Sequence, residues 1–120
     1  MARVLVQVAT GPENVTRAAL GFLVGRYAVD AGHDVDLFVV GDAVGLLRPV
    51  TMEAAHGIGT GHLSEHVAAL VAGGAQFYVS RLSANARALS ESDFGDLKVT
   101  VATPDVLIDR LMVADKVLVY

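Results

Sequence analysis

Cysteine is absent from the chain. That excludes disulfides, cysteine-ligated zinc, iron–sulfur clusters and every thiol-based mechanism. Basic residues are in the minority, with 9 Lys and Arg against 13 Asp and Glu and a formal net charge of -4. Nonspecific nucleic-acid binding wants a positive surface, so no nucleic-acid partner is expected. Long apolar runs are also missing. The longest stretch free of charged residues and His is Val67–Ser80, and Gly73 and Gly74 interrupt it. A membrane span needs about 18 or more apolar residues, so no membrane contact is expected. The run Val4–Ala9 is too short for a signal-peptide core, and the expected compartment is the cytoplasm. No repeat, low-complexity tract or linker divides the chain, so residues 1–120 read as one domain.

What the chain has in quantity is apolar surface. Hydrophobic residues make up 53% of it, and the mean hydropathy is +0.52, which excludes disorder. A domain of this size buries only about two thirds of its chain surface, so part of this apolar content is expected to meet another subunit. The first helix points the same way. Leu20, Leu23, Val24, Tyr27 and Ala28 lie beside its core face, more than one packed face requires.

The pattern along the chain alternates between strands and helices. Val4–Ala9 is β-branched and apolar, as in a strand buried on both faces. Thr10-Gly11-Pro12 breaks it, and Asn14 is placed to cap a helix running to about Ala31, with Gly32 as its stop. Strands are predicted at Asp34–Val40, Ala75–Ser80, Leu97–Ala102 and Lys116–Tyr120, with helices at Leu63–Ala72, Asn85–Leu89 and from Thr103-Pro104 to about Ala114. Residues 43–47 suggest a helical turn, and Gly57–Gly61 a flexible loop. Such alternation implies a mainly parallel sheet of about five strands inside a three-layer α/β/α sandwich, flavodoxin-like in general architecture. In parallel open sheets ligands bind beyond the carboxyl ends of the strands. That edge should gather Thr10, Asn14, Asp42, His56, His62, Ser80 and Arg87.

Specific residues carry a family resemblance. Ala9-Thr-Gly-Pro-Glu-Asn14, Arg17-Ala18, Ala31-Gly-His-Asp-Val35, Leu37-Phe38, Gly41-Asp42-Ala-Val44, Leu46-Leu47 and Ala114-Asp-Lys-Val-Leu-Val-Tyr120 together resemble the DsrE family. The resemblance spans nearly the whole chain. It implies the DsrE-like fold, assembly into trimers or hexamers, and kinship with subunits of sulfur relays and with YchN-like proteins. In relay members a cysteine after the third strand carries a persulfide. In YchN-like members that region resembles Cys-x-x-Cys-x-x-x-Arg-Gly, and here the stretch is Ser80-Arg-Leu-Ser83-Ala-Asn-Ala-Arg87-Ala88. Ser80 and Ser83 stand at the cysteine positions and Ala88 at the glycine position; Arg87 is retained. A hydroxyl forms no persulfide, so the chain is not expected to be a thiol-based sulfurtransferase.

Other constellations lack the partners their chemistry requires. A nucleophilic Ser80 would need a general base, and no Gly-x-Ser-x-Gly elbow surrounds it. His62-Leu-Ser-Glu-His66 places two imidazoles at helical i and i+4, a weak metal candidate without a third carboxylate; the plainer reading makes His62 a polar cap and His66 a solvated residue. Thr10, Asn14 and Thr16 flank a helix start, but Pro12 removes a donor and Glu13 adds a repelling charge. The Gly57-x-Gly59-x-Gly61 run is neither a dinucleotide fingerprint nor a Walker loop. His33 is expected to face free carbonyls at a helix end, and Asp34 and Asp36 to lie at a strand edge. No cofactor and no catalytic residue is assigned. The expected ligand pocket is Thr10, Gly11, Asn14, Asp42, Ser80 and Arg87, with Arg87 alternatively paired to Asp93 or Asp96. The expected function is a homo-oligomeric module binding a small ligand or a partner, one candidate partner being a cysteine-bearing sulfur-relay protein. The alternative is a small-molecule enzyme or an anion- or nucleotide-binding protein using the same strand-end pocket.

Overall fold

A computed structural model describes all residues, Met1–Tyr120. The first apolar run forms β1 (Arg3–Val8), and α1 (Val15–Asp30) follows it. Asn14 caps α1 as its side chain accepts from Arg17 N at 3.1 Å. Then come β2 (Asp34–Val39), a 3-10 segment (Gly41–Leu47), α2 (Pro49–Ala54), and a short hairpin of β3 (His56–Gly57) and β4 (Gly61–His62). The chain continues through α3 (Leu63–Ala72), β5 (Gln76–Ser80), α4 (Arg81–Ala86), β6 (Thr100–Ala102), α5 (Pro104–Val113) and β7 (Lys116–Val119).

Five strands form one parallel sheet in the order β6-β5-β2-β1-β7. From β1 through β2 and β5 to β6 each strand is added on the same side. Only then does α5 carry the chain back across the sheet to β7. Right-handed crossovers therefore put α1 and α3 on one face and α5 on the other. The packing agrees. Val6, Phe22, Leu37, Val39, Leu63 and Leu70 belong to the large core on the first face. The second face holds Leu5, Phe38 and Ala102, with Val106 and Leu107 of α5 against them. This is the expected three-layer α/β arrangement, with one thick core and one thin one.

Three helices end in the same way. After α1, Gly32 N donates to Val29 O and His33 N to Ala28 O; after α3, Gly74 N and Ala75 N donate to Val71 O and Leu70 O. Both pairs are Schellman bonds closed by a left-handed glycine, Gly32 at φ 91 and Gly74 at φ 84. After α4, Ala88 N and Leu89 N bond Asn85 O and Ala84 O in the same pattern, but the left-handed residue is Ala88 at φ 55.

Several local expectations are corrected. Ser80 caps a helix that starts at once, so α4 spans Arg81–Ala86 rather than Asn85–Leu89. The strand predicted over Leu97–Ala102 pairs only at Thr100–Ala102, while Leu97 and Val99 serve as core filler. The Gly57–Gly61 loop is an anchored hairpin turn: Ile58 N donates to Thr16 Oγ1 at 3.0 Å, and a Cβ on Gly57 would stand 2.7 Å from Thr16 Cα. The helix α2 was not predicted. On α1, Ala28 packs against the core instead of joining the outer apolar strip.

Candidate functional site

The parallel register brings the ends of β1, β2 and β5 to one edge. There the loop after β1 presses on the loop after β2. A Cβ on Gly11 would lie 2.2 Å from the Asp42 backbone oxygen, so only glycine permits this approach. Gly11 N donates to Glu13 Oε1 at 2.8 Å. From the third strand end, Ser80 Oγ accepts from Ser83 N at 3.2 Å, and Ser83 Oγ accepts from Gly41 N at 2.8 Å. Arg87 Nη2 then donates to Asp42 Oδ1 at 2.8 Å, and Arg87 Nη1 to Ser83 O at 3.1 Å. Gly11, Asp42, Ser80, Ser83 and Arg87 thus form one continuous junction. Thr10 borders it half-buried, and Asn14 is committed to its cap.

The chemistry of this junction follows from its bonds. Arg87 is neutralised by Asp42, not by Asp93 or Asp96; Asp93 instead accepts from Ser90 N. Both partners are more than one third exposed, so the pair is a surface contact. None of the surface cavities is lined by Thr10, Gly11, Asn14, Asp42, Ser80 or Arg87. The largest, about 500 Å³, lies elsewhere, between α2, α3 and the segment before β6, where Met52, Val67, Val71 and Leu97 line it. The junction is therefore a polar surface rather than an enclosed pocket. It holds two hydroxyls where a sulfur carrier needs a thiolate.

The histidines bond away from the serines. His66 is buried; its Nε2 meets Thr60 O, and its Nδ1 lies 3.5 Å from Arg26 Nη1. Arginine can only donate, so Nδ1 is the acceptor and the proton sits on Nε2. Against expectation, His66 is buried rather than solvated, and His62 lies in β4 before α3 begins and makes no side-chain cap bond. Its neighbour is His56 across the hairpin, with ring centroids 5.1 Å apart. His33 Nδ1 accepts from Ala2 N at 2.9 Å rather than facing helix carbonyls. No group of three or more His, Cys, Asp or Glu side chains could enclose a metal ion.

One charged centre was missed by sequence reading. Asp36 is fully buried under the sheet, not at a strand edge, with Arg110 Nη2 at 2.9 Å and Arg3 Nη1 at 3.4 Å from its Oδ2. Arg110 also lies over the Tyr78 ring at 5.9 Å, and Tyr78 stacks on Phe38. The alternation of Asp34 and Asp36 with apolar residues concealed this, because α5 comes from the far end of the chain.

Apolar side chains stay exposed on β7, α5 and α1. Val119 is 65% exposed, Met112 of α5 77% and Tyr27 of α1 68%; Val117, Leu118, Ile108 and Leu20 are exposed as well. In register Val117 and Val119 share the side of Leu5 and Gln7, while Leu118 shares that of Val6, so β7 is uncovered on both faces. A shallow cavity of about 220 Å³ between Leu23, Val24 and Tyr27 adds to the α1 side. No helix is long and apolar enough to cross a membrane.

The profile of the DsrE/DsrF-like family matches residues 2–120, and the chain belongs to that family. No curated protein matches it. Its fold is similar to that of the ychN protein from E. coli, with 16% identity, a TM-score of 0.75 and 100% of each chain covered. A conserved protein of unknown function from Bacteroides thetaiotaomicron is similar at 13% identity and TM-score 0.73, covering 99% of this chain and 95% of that one. A protein of unknown function from Methanobacterium thermoautotrophicum, at 14% identity and TM-score 0.72, covers all of both chains. At these identities the likeness is one of fold.

Proposed function

We propose that this DsrE-like chain is a cytoplasmic homo-oligomeric module, a trimer or hexamer, that binds a partner protein and does not carry sulfur. The observation that carries the reading is the β7 edge. It combines an edge strand, paired with β1 on one side only, with Val117, Leu118 and Val119 exposed on its two faces, and Met112 of α5 and Tyr27 of α1 are exposed as well. An exposed edge strand with apolar neighbours is a template for pairing, and a stable protein covers it. Self-association covers it with the material at hand.

The strand-end junction is then left for a second contact. Its serines supply hydroxyls, and its Arg87–Asp42 pair supplies exposed charge of both signs. The lack of a cavity there favours a partner's surface over a small molecule. A cysteine-bearing sulfur-relay protein is the partner class we favour, with this chain supplying assembly and the partner the thiol. The test is a charge placed on the edge. Val119→Asp should lower the solution mass to that of one chain while the far-ultraviolet circular dichroism stays that of the wild type. An unchanged mass for Val119→Asp and for Met112→Asp would remove the β7 edge from the account.

A further inference from the structure

We propose that His56 and His62 form a two-histidine site for a divalent transition-metal ion such as Zn²⁺ or Ni²⁺, with water completing its coordination. The two residues face each other in the antiparallel hairpin. Leu63 N donates to Ala55 O just outside the pair, at 2.9 Å, which makes His56 and His62 a non-hydrogen-bonded pair. At such positions opposed side chains stand closest.

The ring separation fits a shared ion. Metal–nitrogen bonds of about 2.0–2.1 Å place two imidazoles on one ion with centroids roughly 4.5–5.5 Å apart. The observed separation is 5.1 Å, with the planes 46° apart rather than stacked. Both side chains are exposed, so an ion and its waters can reach them. Neither ring has a hydrogen-bond partner to give up, in contrast to His66 and His33.

The backbone beneath the pair is held in place. Ile58 N donates to Thr16 Oγ1, and buried His66 meets Thr60 O inside the turn. Gly57 leaves no room for a Cβ beside Thr60 and Thr16, so the hairpin lies tight on α1. The backbone that carries the two ligands is thus preorganised, which limits the entropy lost on binding. Structural zinc sites close with four protein ligands, whereas this site offers two. The ion is therefore exchangeable, and its open positions can accept a ligand from a second molecule. Imidazole suits Zn²⁺, Ni²⁺ and Cu²⁺ and disfavours Mg²⁺ and Ca²⁺.

The experiment is calorimetric titration of tag-free protein with ZnCl₂ and NiCl₂, followed in parallel by the histidine ring signals in NMR. The wild type should bind one ion per chain, with His56 and His62 signals shifting together and MgCl₂ giving no effect. His56→Ala and His62→Ala should each weaken binding by about tenfold or more, and His33→Ala should leave it unchanged. Both hairpin variants alter exposed side chains, and circular dichroism verifies that they fold. No saturable binding below about 1 mM would overturn the site, as would binding that survives both hairpin substitutions.

Discussion

Arg110 of α5 makes both of its contacts to one oxygen of Asp36, Nε at 3.0 Å and Nη2 at 2.9 Å from Oδ2, and leaves Oδ1 buried with no partner. Burial lowers the Arg110 pKa, but the hydrogen bond to Asp36 and its charge raise it, and the net shift is upward. A raised folded-state pKa gives stability that is present below the unfolded value and lost as pH rises through the folded one. For arginine that window lies at strongly alkaline pH, above its ordinary range, so the pair stays intact at neutral pH.

Breaking this pair should be costly. Arg110→Ala strands a buried carboxylate and should destabilise by about 3 kcal/mol, the low end for a broken buried pair because Arg3 remains nearby. The double change Asp36→Leu with Arg110→Leu should recover most of that loss, since apolar replacement of a buried pair is often close to neutral. Urea unfolding at one fixed protein concentration measures both. An Arg110→Ala variant within about 0.5 kcal/mol of wild type would refute the burial argument.

Ala88 offers a cleaner comparison. Left-handed backbone costs an L-residue about 1–2 kcal/mol, while glycine loses about 0.5–1 kcal/mol in added freedom of the unfolded chain. Ala88→Gly should therefore raise stability by up to about 1 kcal/mol. Gly32→Ala and Gly74→Ala should lower it by a similar amount, because a Cβ at either position meets nothing within 4 Å and only the backbone term acts. Loss of stability in Ala88→Gly would contradict the prediction.

At the strand-end junction two substitutions should differ sharply. Arg87→Ala removes an exposed pair and should change stability by less than about 1 kcal/mol. Gly11→Ala pushes a methyl group into the Asp42 carbonyl and should cost about 1–3 kcal/mol. Comparable melting temperatures for the two variants would show that the loops are not tied as described.

Sulfur loading is the chemical test of the missing thiol. Incubation with a cysteine desulfurase and cysteine should leave the intact mass of the wild type unchanged, because no residue can form a persulfide. A reductant-sensitive mass increase would contradict this.

How far the sequence could be read follows from where each residue's partners lie along the chain. Asn14 and Gly32 act through residues within five positions, so the bounds of α1 were legible. The strands were legible because β1, β2 and β5 are covered on both faces and keep continuous apolar runs. The gathering of Gly11, Asp42, Ser80 and Arg87 at one edge followed from parallel topology alone. The bonds within that edge did not, because Arg87 and Asp42 are 45 positions apart. In sequence Asp36 resembles an edge residue because its partner Arg110 lies 74 positions away. The hairpin was hidden by its glycines, which signal mobility in sequence yet here allow close packing on Thr16.

Apolar surface left on α1, α5 and β7 should be covered by further copies of this chain. Light scattering after size exclusion, on wild-type protein at micromolar concentration, tests it most directly. A single species with three or six times the 12.5 kDa mass of one chain is expected. A clean 12.5 kDa species would contradict it.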